Sequence, residues 1–237
     1  LDKKKRAEVM EKIFSETGAN FSLTRTHIGS CDFCVEGKYS YLDKKGDTKL
    51  KSFSIDPDKN GFDPKKYSGI QDASYDLLLM IQEALEIKNK QKDNELRIIA
   101  SAWTAPAWMK DIEDWFIQGT PENNHQGTGG KLKPEYEETY ADYLIKYLEA
   151  YNSEGVKIWW ITPVNEPHGN NGQWESMHFT AETQKQKIKI VQSLLVAFED
   201  VCKFKGYSFK ELLYFLRIKA QAAENKSLLK SESALLP

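Results

Sequence analysis

Three apolar, strand-like runs in this sequence are each followed at once by side chains able to do chemistry. The first leads through Arg25 to Asp32, the second to Trp103, and the third to the pair Asn165-Glu166. One acid, one arginine, one amide and one indole at strand ends are a set that suits sugar chemistry. Glycoside hydrolysis needs a carboxylic acid able to protonate the leaving oxygen and a second carboxylate across the anomeric carbon. Glu166 suits the first role. Asn165 beside it can hydrogen-bond the hydroxyl next to the anomeric carbon, a contact that strengthens as oxocarbenium character grows. Pro167 restrains the backbone beyond. Each residue also has a plain structural reading: Glu166 as a solvated rim residue, Trp103 as core, Arg25 with Asp32 as an ion pair, His27 as a hydrogen-bonded wall residue. It is their coincidence that points to a site.

The elements that must position these residues alternate. Ala7, Met10 and Ile13 or Phe14 recur at helical spacing over 4–15, and 21–28 reads as a buried strand after the turn at Gly18. A polar, Gly/Pro-containing connection over 37–69 leads to a second helix over 73–88, marked by Leu77, Met80, Ile81, Ala84, Leu85 and Ile87. The second strand is 96–100. Pro134 opens a third helix in which Tyr136, Tyr140, Tyr143, Leu144, Tyr147, Leu148 and Tyr151 share a stripe until Gly155. The third strand is 157–164, and 180–198 reads as a fourth helix capped by Thr180. This order predicts parallel βαβ units, and no G-x-G-x-x-G follows a strand to favour a dinucleotide fold. The fold class expected is α/β, a partial (β/α)8 TIM barrel of about three parallel strands, whose site lies at the strands' C-terminal ends. Residues 1–198 form this partial catalytic domain, and 199–237 form a divergent tail, helical or disordered.

Composition narrows the alternatives. The chain has 237 residues with 33 basic and 35 acidic side chains, a near balance that gives no basic field for nucleic acid. No apolar run is long enough for a transmembrane segment. Three cysteines, Cys31, Cys34 and Cys202, do not make a disulfide framework. Cys31 and Cys34 have the C-x-x-C spacing of a redox pair or half a zinc site, but no second pair follows and no histidine stands at finger spacing. An oxidoreductase would need a helix starting at Cys31, where the sequence has polar loop. Neither a metal nor a cofactor is therefore expected.

Four strings carry a specific resemblance: R-T-H-I-G-S-C-D-F from Arg25, S-A-W-T-A-P-A-W-M-K from Ser101, I-T-P-V-N-E-P from Ile161, and Q-W-E-S-M-H-F-T-A-E from Gln173. In order and spacing they resemble glycoside hydrolase family 30, most of all its glucosylceramidase branch, over about residues 6–191. The resemblance implies a retaining mechanism on a (β/α)8 barrel, with the acid/base at the end of the fourth strand, matched by Glu166, and the nucleophile at the end of the seventh. It also implies that Asn165 holds the sugar 2-hydroxyl, that Asp32 and Trp103 line the glucose pocket, that Arg25 orients the carboxylates from below, and that Cys31 is a free thiol. The substrate implied is a β-glucoside, glucosylceramide first and a β-1,6-glucan or another polysaccharide second, with peripheral lipid contact and a lysosomal or secreted location. The nucleophile strand is expected beyond this chain, since Glu211, Glu224 and Glu232 follow no apolar run. A reading from another class is a sugar-binding fragment without turnover, truncated at both ends.

Overall fold

The computed structural model describes residues 2–34, 38–60, 65, 72, 74–92, 95–123, 126–168 and 172–179. All of these belong to one compact unit, Leu1–Val191. The helix expected over 180–198 and the tail over 199–237, with Cys202, Glu211, Glu224 and Glu232, lie outside the described residues.

Helix α1, Lys3–Phe14, starts where the carboxylate of Asp2 accepts the backbone N–H of Lys5 at 2.8 Å, satisfying a donor that the first turn leaves unpaired. Its buried residues Met10 and Phe14 pack on Ala84 and Ile87 of helix α3, Leu77–Asn89, with Ile13 and Leu96 at the margin. Helix α3 begins at the first residue of the apolar pattern, four residues after the expected start at 73. Asp76 takes the N-cap position and accepts the N–H of Leu77, which fixes the start there.

Strands β1 (Leu23–Ile28), β2 (Arg97–Ala102) and β3 (Trp160–Thr162) form one parallel sheet in the order β1-β2-β3. Leu23 stands beside Arg97 and Ile28 beside Ala102, while Ile99 to Ser101 pair with Trp160 to Thr162. Strand β3 is shorter than the expected 157–164 for a simple reason. Pro163 has no N–H to donate, so the regular ladder stops, although Trp159 N still donates to Ile98 O at 2.8 Å and Asn165 N to Ala102 O at 2.6 Å. Thr26 and Ile28 of β1, and Ile98 and Ala100 of β2, are buried. Strand alternation puts Arg25 and His27 on the face opposite Thr26 and Ile28.

Between β2 and β3 runs helix α4, Glu137–Ser153, preceded by a 3-10 turn at Pro134–Tyr136. Its stripe of Tyr140, Tyr143, Tyr147 and Tyr151 is buried, and Tyr41 from the long β1–α3 connection stacks on Tyr143 and Tyr147. That connection also holds a single helical turn, α2, Pro57–Asn60. Its Asp58 is fully buried and accepts hydrogen bonds from the hydroxyls of Tyr39 (3.0 Å), Tyr41 (2.6 Å) and Tyr151 (2.5 Å). Burial raises the pKa of this carboxyl, and the three phenol donors oppose the shift.

Candidate active site

The C-terminal ends of the three strands meet in a polar platform built around Arg25. Its Nε donates to Ser101 Oγ at 2.8 Å and an Nη donates to Asn165 Oδ1 at 2.6 Å. Thr162 Oγ1 donates to the same Ser101 hydroxyl at 2.7 Å. The guanidinium lies over the Trp103 ring, 4.7 Å from its centroid. One residue of β1 thus joins side chains from the ends of β2 and β3, which is what the planar fork of an arginine allows and a point charge does not.

These bonds orient what remains available. Because Asn165 Oδ1 accepts from Arg25, the amide NH2 is left to donate. Trp103 is buried, and its indole N–H has no hydrogen-bond partner among the described residues. A buried donor without an acceptor is uncommon and costs about 1–3 kcal/mol, so an acceptor brought by a ligand would relieve it. Glu166 follows Asn165 with a backbone φ of 47°, the left-handed region that side chains other than glycine seldom occupy, and is exposed. Such a conformation costs on the order of 1–3 kcal/mol and persists where the surroundings impose it. Here Tyr140 donates its hydroxyl to Pro163 O at 2.6 Å before the residue, and Phe179 N donates to Pro167 O at 2.9 Å after it.

The structure brings Arg25, Trp103 and Asn165 into direct contact. It does not join Asp32 or Glu166 to them: among the described residues neither carboxyl has a hydrogen bond or ion pair with the platform, and no Arg25–Asp32 pair forms. Arg25 bonds a hydroxyl and an amide rather than a carboxylate. Asp32 is exposed in the turn after β1, beside Phe33, which is 80% exposed.

Other participants were not expected. Ser101 and Thr162 tie the platform together, yet small hydroxyl residues in strands carry no signal in a sequence. Lys110 is fully buried, and its ammonium donates to the carbonyls of Trp115 (2.6 Å), Gly129 (2.8 Å) and Ser176 (3.0 Å), fastening the loop after β2 to the loop after β3. Burial pulls its pKa down to about 7, against the opposing pull of Asp114, Asp111 and Glu175.

Residues 1–197 match the family model described as the glycosyl hydrolase family 30 TIM-barrel domain. The chain belongs to glycosyl hydrolase family 30. Among its family 30 relatives, the endo-1,6-beta-D-glucanase of Neurospora crassa is 31% identical over 184 residues, 77% of this chain and 32% of that protein. The lysosomal acid glucosylceramidase of Mus musculus is 26% identical over 187 residues, 76% of this chain and 30% of that protein. The crystal structure of SrfJ from Salmonella typhimurium superposes with a TM-score of 0.60 at 25% identity, over 82% of this chain and 38% of that one. The chain therefore spans about a third of the length of the relatives it matches. The parallel three-stranded sheet with its helices is that part of the family 30 barrel.

Proposed function

We propose that this chain carries the acid/base side of a retaining β-glycosidase site, with Glu166 as the proton donor to the leaving oxygen. The observation that supports this best is the Arg25 platform. It presents an oriented amide and an unsatisfied indole N–H next to Glu166, a non-glycine residue held in the left-handed region. In this reading the NH2 of Asn165 donates to the sugar hydroxyl next to the anomeric carbon. Trp103 donates its N–H to another sugar oxygen, and Arg25 acts through Asn165 as a positioning residue. Asp32 at the mouth accepts from outer sugar hydroxyls. A retaining reaction also needs a nucleophilic carboxylate about 5–5.5 Å from the acid.

For the aglycone we favour a lipid, hence glucosylceramide, in line with the 26% identity to the lysosomal acid glucosylceramidase of Mus musculus. A β-1,6-glucan is the second reading, supported by the 31% identity to the Neurospora crassa enzyme as much as glucosylceramide is by the 31% identity to the putative glucosylceramidase 1 of Caenorhabditis elegans.

The test is Glu166→Gln in a catalytically active family member carrying these four motifs. Glucosides with poor leaving groups should lose turnover by two or more orders of magnitude, as removal of a general acid typically gives about 10²–10⁴-fold, while activated aryl glucosides should keep most of their first step. Equal loss on both kinds of substrate would remove Glu166 from the acid role. Turnover of β-1,6-glucan without turnover of glucosylceramide would change the aglycone and leave the acid in place.

A further inference from the structure

At the end of β1 and in the turn that follows it, two residues beyond Arg25 on the same face of the strand, the chain folds three soft or borderline ligands together. His27, Cys31 and Cys34 offer a ring nitrogen and two sulfurs that all lie within 4.8 Å of one another. The two Sγ atoms are 3.9 Å apart. Two thiolates on a tetrahedral zinc ion with Zn–S bonds of about 2.3 Å stand about 3.8 Å apart, so the sulfurs are already at the spacing the ion requires. A disulfide would need them to close to about 2.05 Å and would have no use for the histidine.

The surroundings of the three ligands are those of a metal site. His27 Nδ1 is 2.6 Å from Gly29 O. A proton on Nδ1 donated to that carbonyl fixes the tautomer and leaves the lone pair on Nε2, as in the backbone-oriented histidines of zinc sites. The turn is closed by Cys34 N donating to Cys31 O at 3.0 Å, and the N–H of Cys31 donates to Cys34 Sγ at 3.3 Å. An amide N–H on sulfur stabilises thiolate charge. Gly29, with φ of 69°, makes the bend that brings the cysteines back toward the strand, and Ser30 N donates to Tyr39 O at 2.9 Å to hold the loop. Cys31 is buried while Cys34 and His27 are half-buried, so an ion could enter from one side. The hydrogen bond between the sulfurs keeps Cys31 protonated and lowers the Cys34 thiol to about 6.

We propose that His27, Cys31 and Cys34 bind a zinc ion, with the fourth position left to water, and that the ion pins the turn carrying Asp32. Binding releases whatever protons the two thiols still carry and forms two Zn–S bonds and one Zn–N bond, with no change of oxidation state. Because Asp32 lies between the two cysteine ligands, occupancy sets the place of this carboxylate at the mouth of the candidate site. The metal site stands on its own geometry and does not depend on the glycosidase reading.

The test uses the 237-residue chain with Cys202→Ser, so that Cys31 and Cys34 are its only thiols. Reduced protein is titrated anaerobically with Co²⁺ as a spectroscopic stand-in, and Zn²⁺ is then added to displace it. One equivalent should give thiolate-to-cobalt charge transfer and the intense visible bands of tetrahedral cobalt, both bleached by zinc. Cys34→Ser should lose about half of the charge-transfer intensity. His27→Gln should keep the thiolate bands but bind zinc at least about tenfold more weakly, the low end of what disturbing a metal ligand shell costs. Far-UV circular dichroism of His27→Gln matching the parent makes that comparison independent of folding. Absence of a saturable cobalt spectrum, an affinity unmoved by His27→Gln, or a Cys31–Cys34 disulfide in freshly purified protein would each overturn the proposal.

Discussion

Replacing Arg25 by lysine keeps the charge and removes the fork. The guanidinium makes two hydrogen bonds, to Ser101 Oγ at 2.8 Å and to Asn165 Oδ1 at 2.6 Å, while lying over Trp103. A lysine offers its donors from one point rather than from a planar fork, so one of these two bonds is expected to be lost. The lost charge-assisted bond is worth about 1.5–3 kcal/mol, and the weakened cation–π contact about 0.5–1 kcal/mol. Arg25 is exposed, so water recovers part of this, and a net loss of about 2 kcal/mol is a reasonable centre. If the freed amide of Asn165 is what that loss disorders, it falls on a contact that tightens in the transition state. It should then lower kcat/KM by about 30-fold, mostly through kcat. The assay is steady-state hydrolysis of a β-glucoside by an active family member with these motifs, paired with thermal unfolding. The decisive arm is the double change. Arg25→Lys on top of Asn165→Ala should cost little beyond Asn165→Ala alone, since Arg25 would act through the amide. Full additivity, or a fall in unfolding temperature with kcat unchanged, would reduce Arg25 to a staple between strands.

Two stability effects follow from buried groups. Lys110→Met leaves three loop carbonyls without their donor and should destabilise the chain by on the order of 3 kcal/mol in urea unfolding. In the parent, the folded lysine releases its proton near pH 7 while the unfolded one holds it to about 10.5, so stability should rise with pH across that window. The same rise should be missing in Lys110→Met, and an unchanged slope would mean that the ammonium is not the titrating group. Asp58→Ala strands the hydroxyls of Tyr39, Tyr41 and Tyr151 and should cost on the order of 4 kcal/mol, with Asp58→Asn intermediate because its carbonyl oxygen can still accept two of them. A loss from Asp58→Ala below about 1 kcal/mol would show that water replaces the carboxylate.

The strands and helices could be read from residue types because each had a local cause. β-Branched runs next to helical stripes make βαβ units, and the observed parallel order follows. What stayed hidden was long-range pairing of polar groups. The connection over 37–69 reads as loop, yet it supplies Tyr39, Tyr41 and Asp58 to a buried network closed by Tyr151, 93 residues from Asp58. Lys110 ends a Trp-Met-Lys run with nothing to set it apart from a surface lysine, and only three carbonyls from two separate loops make burial tolerable. His27 stands four residues before Cys31, outside zinc-finger spacing. It joins the cysteines because a strand end and a left-handed glycine turn the chain back, which spacing rules for helices and knuckles do not anticipate.

Asn165 and Glu166 were legible as types, but their arrangement is a property of the backbone. Three bonds bracket the segment: Asn165 N to Ala102 O, Tyr140 Oη to Pro163 O, and Phe179 N to Pro167 O. They reach it from β2, from α4 and from the following loop, and Lys110 fixes that loop in turn through Ser176. A left-handed φ at a glutamate is stable only if such bonds cost more to break than the strain releases, about 1–3 kcal/mol for the strain against about 0.5–1.5 kcal/mol for each of three bonds. The two sums are close, so the conformation depends on all three contacts being made together. Loosening a remote one by Tyr140→Phe should therefore move Glu166 without touching it, and in urea unfolding Glu166→Gly should recover part of the stability that Tyr140→Phe loses; a double variant no more stable than Tyr140→Phe alone would show that the left-handed φ is not strained.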